Sequence, residues 1–274
     1  MKEKIKGWWK MANYTHLMNS SWYGEISNSN ISDIKESILR SKTERGIILQ
    51  LVELFKLGDF TQKTLLIHLL NHSEDEAALN LCIRIFCSIC THEDLRDSNN
   101  LLFLENATED VVHTFASAAV TTLSLEVVPY LLALLEDWDE INDTSIIIRD
   151  SIDAFIEFEE HLGDGATVEE IGQYYLEYIN RCNSEKYYYN QEIAFIGNLT
   201  KKLIERVMIA ANTGQRLEME LVPSLLSIWS GEKVPGDYYT VINADNYKGF
   251  INYVEGLSKK NWEKGHKYFY GLKV

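Results

Sequence analysis

Proline is scarce in this chain: only Pro129, Pro223 and Pro235 occur in 274 residues. So few fixed φ angles, with abundant Leu, Ile and Glu, favour helices over turn-rich sheets. Long apolar runs are also missing. No stretch reaches the roughly 18 uninterrupted apolar residues of a membrane span, so no membrane partner is expected. The opening MKEKIKGWWKMANYTH is basic, but no apolar segment follows it. A signal peptide is therefore not expected, and a cytoplasmic location is. Cysteine usage agrees: Cys82, Cys87 and Cys90 share one segment and Cys182 is distant, which is no disulfide framework. Catalytic signatures are absent as well: no GxGxxG, Walker loop, HExxH or GxSxG occurs. The expectation is a protein that is not an enzyme and takes no cofactor.

Basic residues are nearly missing from the middle. Net charge is −15, yet residues 91–172 alone carry −18, with 20 acids against Arg96 and Arg149. Residues 1–60 and 173–274 each sum to +2. General solubility requires no such concentration. Phosphates would be repelled by it, so nucleic acid is not an expected partner.

What is present is helical periodicity. In LEVVPYLLALLED, residues 125–137, apolar residues recur at i, i+3, i+4 and i+7. The same reading gives helices near 32–41, 44–57, 61–71, 74–90, 108–122, 125–137, 145–159, 167–181, 191–212, 218–230 and 246–260. Ser32, Thr43, Thr108 and Thr167 are the expected N-caps, with acids in the first turns of their helices. EVVPYLLALL (126–135) returns as ELVPSLLSIW (220–229), with each proline placed early in its helix. Helix pairs with one apolar face bury it by stacking side by side. The expected architecture is all-α: a helical-hairpin stack, or α-solenoid, forming one elongated domain over 1–274. Residues 1–60 would cap it, 61–230 would form the pairs, and 231–274 would be a loop and a last helix. The aromatic segments Trp8-Trp9 and Ser21-Trp22-Tyr23-Gly24 are expected to cover its exposed end.

The acidic stretch fits no metal motif. A calcium loop begun at Asp137 fails at Ile141, Asn142 and Ile148, and DDxxD is absent. Acid/base work by a carboxylate pair needs a cleft and a raised pKa, whereas a dense run in a polar turn is usually solvated. Cys87-x-x-Cys90 with His92 has ligand-like spacing, but its helix is strongly apolar and no second pair closes a zinc site, so core packing is the expectation. His68 and His72 stand four apart without an acid motif. Tyr174, Tyr175, Tyr178 and Tyr187 to Tyr189 are expected to seal a helix junction, with a binding surface as the alternative.

Two resemblances add to this. Val127-Val128-Pro129-x-Leu131-Leu132-x-Leu134-Leu135-x-Asp137, followed by Arg149, resembles a HEAT repeat, with DEINDTS inserted between its helices. The whole is similar to all-helical immunity proteins of bacterial toxin systems, including contact-dependent growth inhibition. That likeness rests on size, acidity, Ser21-Trp22-Tyr23-Gly24 and the lack of catalytic motifs. It implies one tight partner, a cognate protein toxin, often a basic nuclease. The carboxylates would then meet a basic groove. The expected contacts are Asp137, Asp139, Glu140 and Asp143 in the turn, Asp150, Asp153 and Glu157 along one helix face, and Glu159 and Glu160 beyond. The alternative is a HEAT-like scaffold that binds a protein without neutralising it.

Overall fold

The computed structural model describes residues 17–18, 21–139, 142–219 and 221–274. Trp8-Trp9 and Glu140 lie outside them. The described residues are mostly helical, and each segment expected to be helical contains a helix. The first four are α1 (Ile31–Arg40), α2 (Glu44–Lys56), α3 (Lys63–His72) and α4 (Glu76–Ile89). A short α5 (His92–Arg96) leads to α6 (Glu109–Ala119), α7 (Val128–Trp138) and α8 (Asn142–Ile156). Then come α9 (Phe158–Leu162), α10 (Val168–Ile179), α11 (Ile196–Thr213), α12 (Leu221–Ser230) and α13 (Ala244–Ser258).

Caps explain several of these starts. Thr43 accepts from the Gly46 N–H, and Thr167 forms a capping box with Glu170. Asn30 caps α1, not Ser32, and Thr108 makes no side-chain cap. The 125–137 segment opens as a 3₁₀ turn, Leu125–Val127, where the Val128 N–H reaches the Leu125 carbonyl. Pro129 has no N–H to continue an α-helical bond to that carbonyl.

The helices pack in sequence: α1 on α2, α2 on α4, α4 on α6 and α6 on α8. α3 lies on α4, α7 on α8 and α10 on α7, while α11 carries α12 and α13. Apolar burial forms two clusters. Phe55, Phe86, Phe115 and Phe155 mark the first, and Leu203, Leu225, Trp229 and Phe250 the second. Each such buried side chain contributes about 2–3 kcal/mol over exposure. Ile228 and Phe269 reach from the C-terminal third into the first cluster.

Two short hairpins were not expected. β1 (Tyr188–Tyr189) pairs with β2 (Glu192–Ile193), and β3 (Tyr268–Phe269) with β4 (Leu272–Lys273). Both two-residue turns have positive φ at both positions, Asn190-Gln191 and Tyr270-Gly271, the geometry that follows strand twist. The hairpins do the same job. Asn190 N–H donates to Ala154 O at the end of α8 (3.3 Å), and Tyr270 N–H to Ile228 O at the end of α12 (2.9 Å). Each satisfies a carbonyl that a helix end leaves without a partner. The residues just before β1 and β3, Tyr187 and Lys267, are both buried.

The C-terminal hairpin holds the N-terminal segment. Trp22 stacks on Phe269 at 6.1 Å between centroids, and Tyr270 Oη both accepts from Gly24 N and donates to Gly24 O, each at 3.1 Å. Ser21-Trp22-Tyr23-Gly24 therefore lies against the hairpin and α12.

Candidate partner-binding surface

The acidic expectation separates once the structure assigns positions. Asp137 and Asp139 are exposed at the end of α7, Asp143 is exposed in the first turn of α8, and Glu160 is exposed on α9. The structure corrects the remainder of the predicted helix face. Asp150 is only 8% exposed and has interactions of its own. Asp153 Oδ1 accepts from the Glu159 N–H at 2.9 Å, so it shapes the backbone where α8 ends. Glu157 is not on the helix at all, because α8 stops at Ile156 and Glu157 is left-handed, with φ 49° and ψ 42°. Asp153 and Glu157 thus do not form the i, i+4 pair that a helix to residue 159 would give. Glu157 and Glu159 are half-buried. Burial, with the Glu157 charge adding to it, pushes the Tyr189 hydroxyl up to about 12.

One base organises the exposed part. Arg149 donates to Asp139 Oδ1 (3.0 Å) and to Ala166 O (2.7 Å), tying the α7–α8 turn to the loop before α10. Its carboxylate partner is Asp139. Thr144 reaches α6, donating to Glu109 Oε1 (2.9 Å) and contacting His113 Nε2 (2.8 Å). Residues 142–145 of the predicted insertion belong to α8, and those bonds hold them against α6.

The cysteine motif sits in the core. Cys87 and Cys90 are fully buried, and burial pushes both thiols up. Lys267, also fully buried, places its Nζ 2.7 Å from Cys87 O, 3.0 Å from Cys90 O and 3.7 Å from Cys90 Sγ. A lysine headgroup there occupies the approach a cation would take. His92 turns away, with Nδ1 on Ser124 Oγ at 2.7 Å and its ring stacked on Tyr187 at 4.1 Å. Among the described residues no group of three His, Cys, Asp or Glu side chains is placed to hold a metal. Tyr175, Tyr187 and Tyr188 are buried, and Tyr175 Oη donates to Leu125 O across the α7–α10 junction.

A cleft of about 760 Å³ was missed by sequence reasoning. Tyr23, Pro223, Met219, Tyr238 and Tyr239 line it, with Glu25, Glu232 and Asp237 beside Lys233. Burial pushes the Tyr23 hydroxyl up to about 12 while it donates to Ser227 O. Its sequence signals were the aromatic Ser21–Gly24 segment and Asp237-Tyr238-Tyr239, which are over 200 residues apart and meet only in the fold.

No helix among the described residues is long and apolar enough to cross a membrane. No curated protein and no solved structure matches the chain. A family model for Immunity protein 47, however, matches residues 17–274, which spans every helix and both hairpins described above. The chain therefore belongs to the Immunity protein 47 family.

Proposed function

We propose that this protein protects its host by binding and neutralising a cognate toxin in the cytoplasm, as part of a contact-dependent or related polymorphic toxin system. The toxin domain is basic, of the kind expected for a nuclease, and the contact surface is the acidic side of the α7–α10 region. The observation that carries this reading is charge segregation: residues 91–172 hold 20 acids and two bases. Such a patch speeds encounter with a basic partner and disfavours neutral or acidic ones. Of the expected contacts, Asp137, Asp139, Asp143 and Glu160 are exposed, with Glu157 and Glu159 half-buried at the margin. We read the sequential packing of α2, α4, α6 and α8 as a HEAT-like stack within one domain. Its role is binding, with no chemistry of its own.

The test is co-expression with the product of the adjacent toxin gene. A complex should form and protect cells. Asp137→Lys with Asp143→Lys should slow association roughly ten-fold at low ionic strength, a deficit that shrinks as salt rises. Unchanged association by a folded double variant would remove the acidic surface from the mechanism. No complex and no protection would leave a HEAT-like scaffold as the reading.

A further inference from the structure

Acids outnumber bases 41 to 26 in this chain, yet among the described residues Arg45 and Arg84 make no ion pair with a carboxylate and line the same pocket. Arg45, on α2, and Arg84, on α4, line a pocket of about 300 Å³ together with Ser21, Ala77, Asn80 and Leu81. Arg45 Nη2 makes one long contact, 3.5 Å, to Ser21 Oγ. The Arg84 guanidinium finds no acceptor among the described residues, and its Nη1 is buried from solvent. Asn80 Oδ1, one helical turn earlier on the same face, is likewise buried and unpartnered. Burial holds the Arg84 pKa below its usual value, with no carboxylate opposing that effect.

Buried polar groups in folded proteins nearly always have partners, and an exception calls for a missing group. A guanidinium presents a fork of donors that matches an oxyanion in two-point geometry. Two of them lining one pocket make a cationic recess in an otherwise acidic molecule. A half-turn of the Asn80 amide would exchange Oδ1 for its NH₂ and add a donor.

We infer that this pocket binds a single small oxyanion, a phosphate or carboxylate group, clamped between Arg45 and Arg84. It is a site separate from the acidic surface and independent of the toxin-binding reading. Phosphate comes as a free ion. A carboxylate would come from an acidic side chain of a protein partner.

Thermal unfolding of the full chain distinguishes these, because a ligand that binds only the folded state raises Tm. Inorganic phosphate and acetate are each compared with chloride at constant ionic strength. Phosphate alone raising Tm identifies a free-ion site, and acetate raising it equally identifies a carboxylate site. In either case Arg84→Met and Arg45→Met must abolish the rise. Arg84→Met should keep the wild-type Tm in chloride, since it breaks no hydrogen bond. Should that variant fold poorly, the Nε–H resonances of Arg84 and Arg45 in the wild-type protein provide the readout, and both must shift on titration. No rise with either anion, a rise that survives in folded Arg84→Met, or unmoved arginine resonances overturns the assignment.

Discussion

Replacing Lys267 by methionine measures the most unusual contact in the fold. The side chain is fully buried, and its Nζ donates to Cys87 O and Cys90 O at the C-terminal end of α4. Those carbonyls are orphaned by helix geometry, and a lysine there also opposes the negative end of the helix dipole. Burial works against it, holding the Lys267 pKa below the usual lysine value. Two competing quantities follow. Each hydrogen bond from a charged donor contributes about 1.5–3 kcal/mol, and a buried carbonyl left unpaired costs about 1–3 kcal/mol. Against this, the desolvation of an ammonium costs several kcal/mol, which methionine would recover. Methionine is close in length and apolar, so packing around Phe269 is largely kept. With two carbonyls stranded, the expected net loss is about 2–4 kcal/mol, read as a lower urea midpoint at unchanged m-value. A variant as stable as the wild type, or more so, would show that desolvation outweighs the bonds and would refute the argument.

Further outcomes follow from the same geometry. Tyr270→Phe removes the hydroxyl that bonds both Gly24 N and Gly24 O, and should cost about 1–3 kcal/mol while exposing Trp22 to a fluorescence quencher. Arg149→Met breaks the bonds to Asp139 and Ala166 O, and should cost about 1–2 kcal/mol with faster amide exchange in the α7–α8 turn. Burial raises Tyr23 and Tyr189 to about 12, and raises Tyr175, Tyr187, Tyr253 and Tyr270 as well. The unfolded chain releases these protons near pH 10, before the folded one does, so stability is intact below pH 10 and falls as pH climbs toward 12. Tyrosinate absorbance and circular dichroism should therefore change together in alkaline titration, and early tyrosinate formation in a still-helical protein would contradict the burial.

The helices were legible because their signals are local. A cap such as Thr43 or Thr167 and an apolar stripe sit within one segment, so α2 and α10 were found nearly to the residue. The end of α8 was not, because what stops it is a left-handed Glu157 whose neighbour Glu159 is held by Asp153, and nothing in Ile156-Glu157-Phe158 announces that turn. The hairpins were hidden for a different reason. Strands of two residues show no alternation, and Asn190-Gln191 and Tyr270-Gly271 are not the usual turn pairs. The acidic surface was visible as composition but not as geometry. Periodicity placed Asp150 on the same side as Asp153, and only packing showed it turned inward. The pocket of Arg45 and Arg84 depends on α2 lying against α4, a contact that no pattern within either helix encodes.

Lys267 is 180 residues away from the carbonyl of Cys87 that it covers. A ribosome adding about 5–20 residues per second needs about 10–40 s to cross that distance. Throughout that interval α4 can form, since its own bonds are local, but the Cys87 and Cys90 carbonyls at its end lack the ammonium that covers them and the place of Phe269 among the early helices stays unfilled. The first hydrophobic cluster is thus completed from the far end of the chain. A nascent polypeptide carrying α1 to α8 would be an open intermediate, the kind of species that chaperones hold. Any fragment that stops short of β3 would remain in that condition permanently.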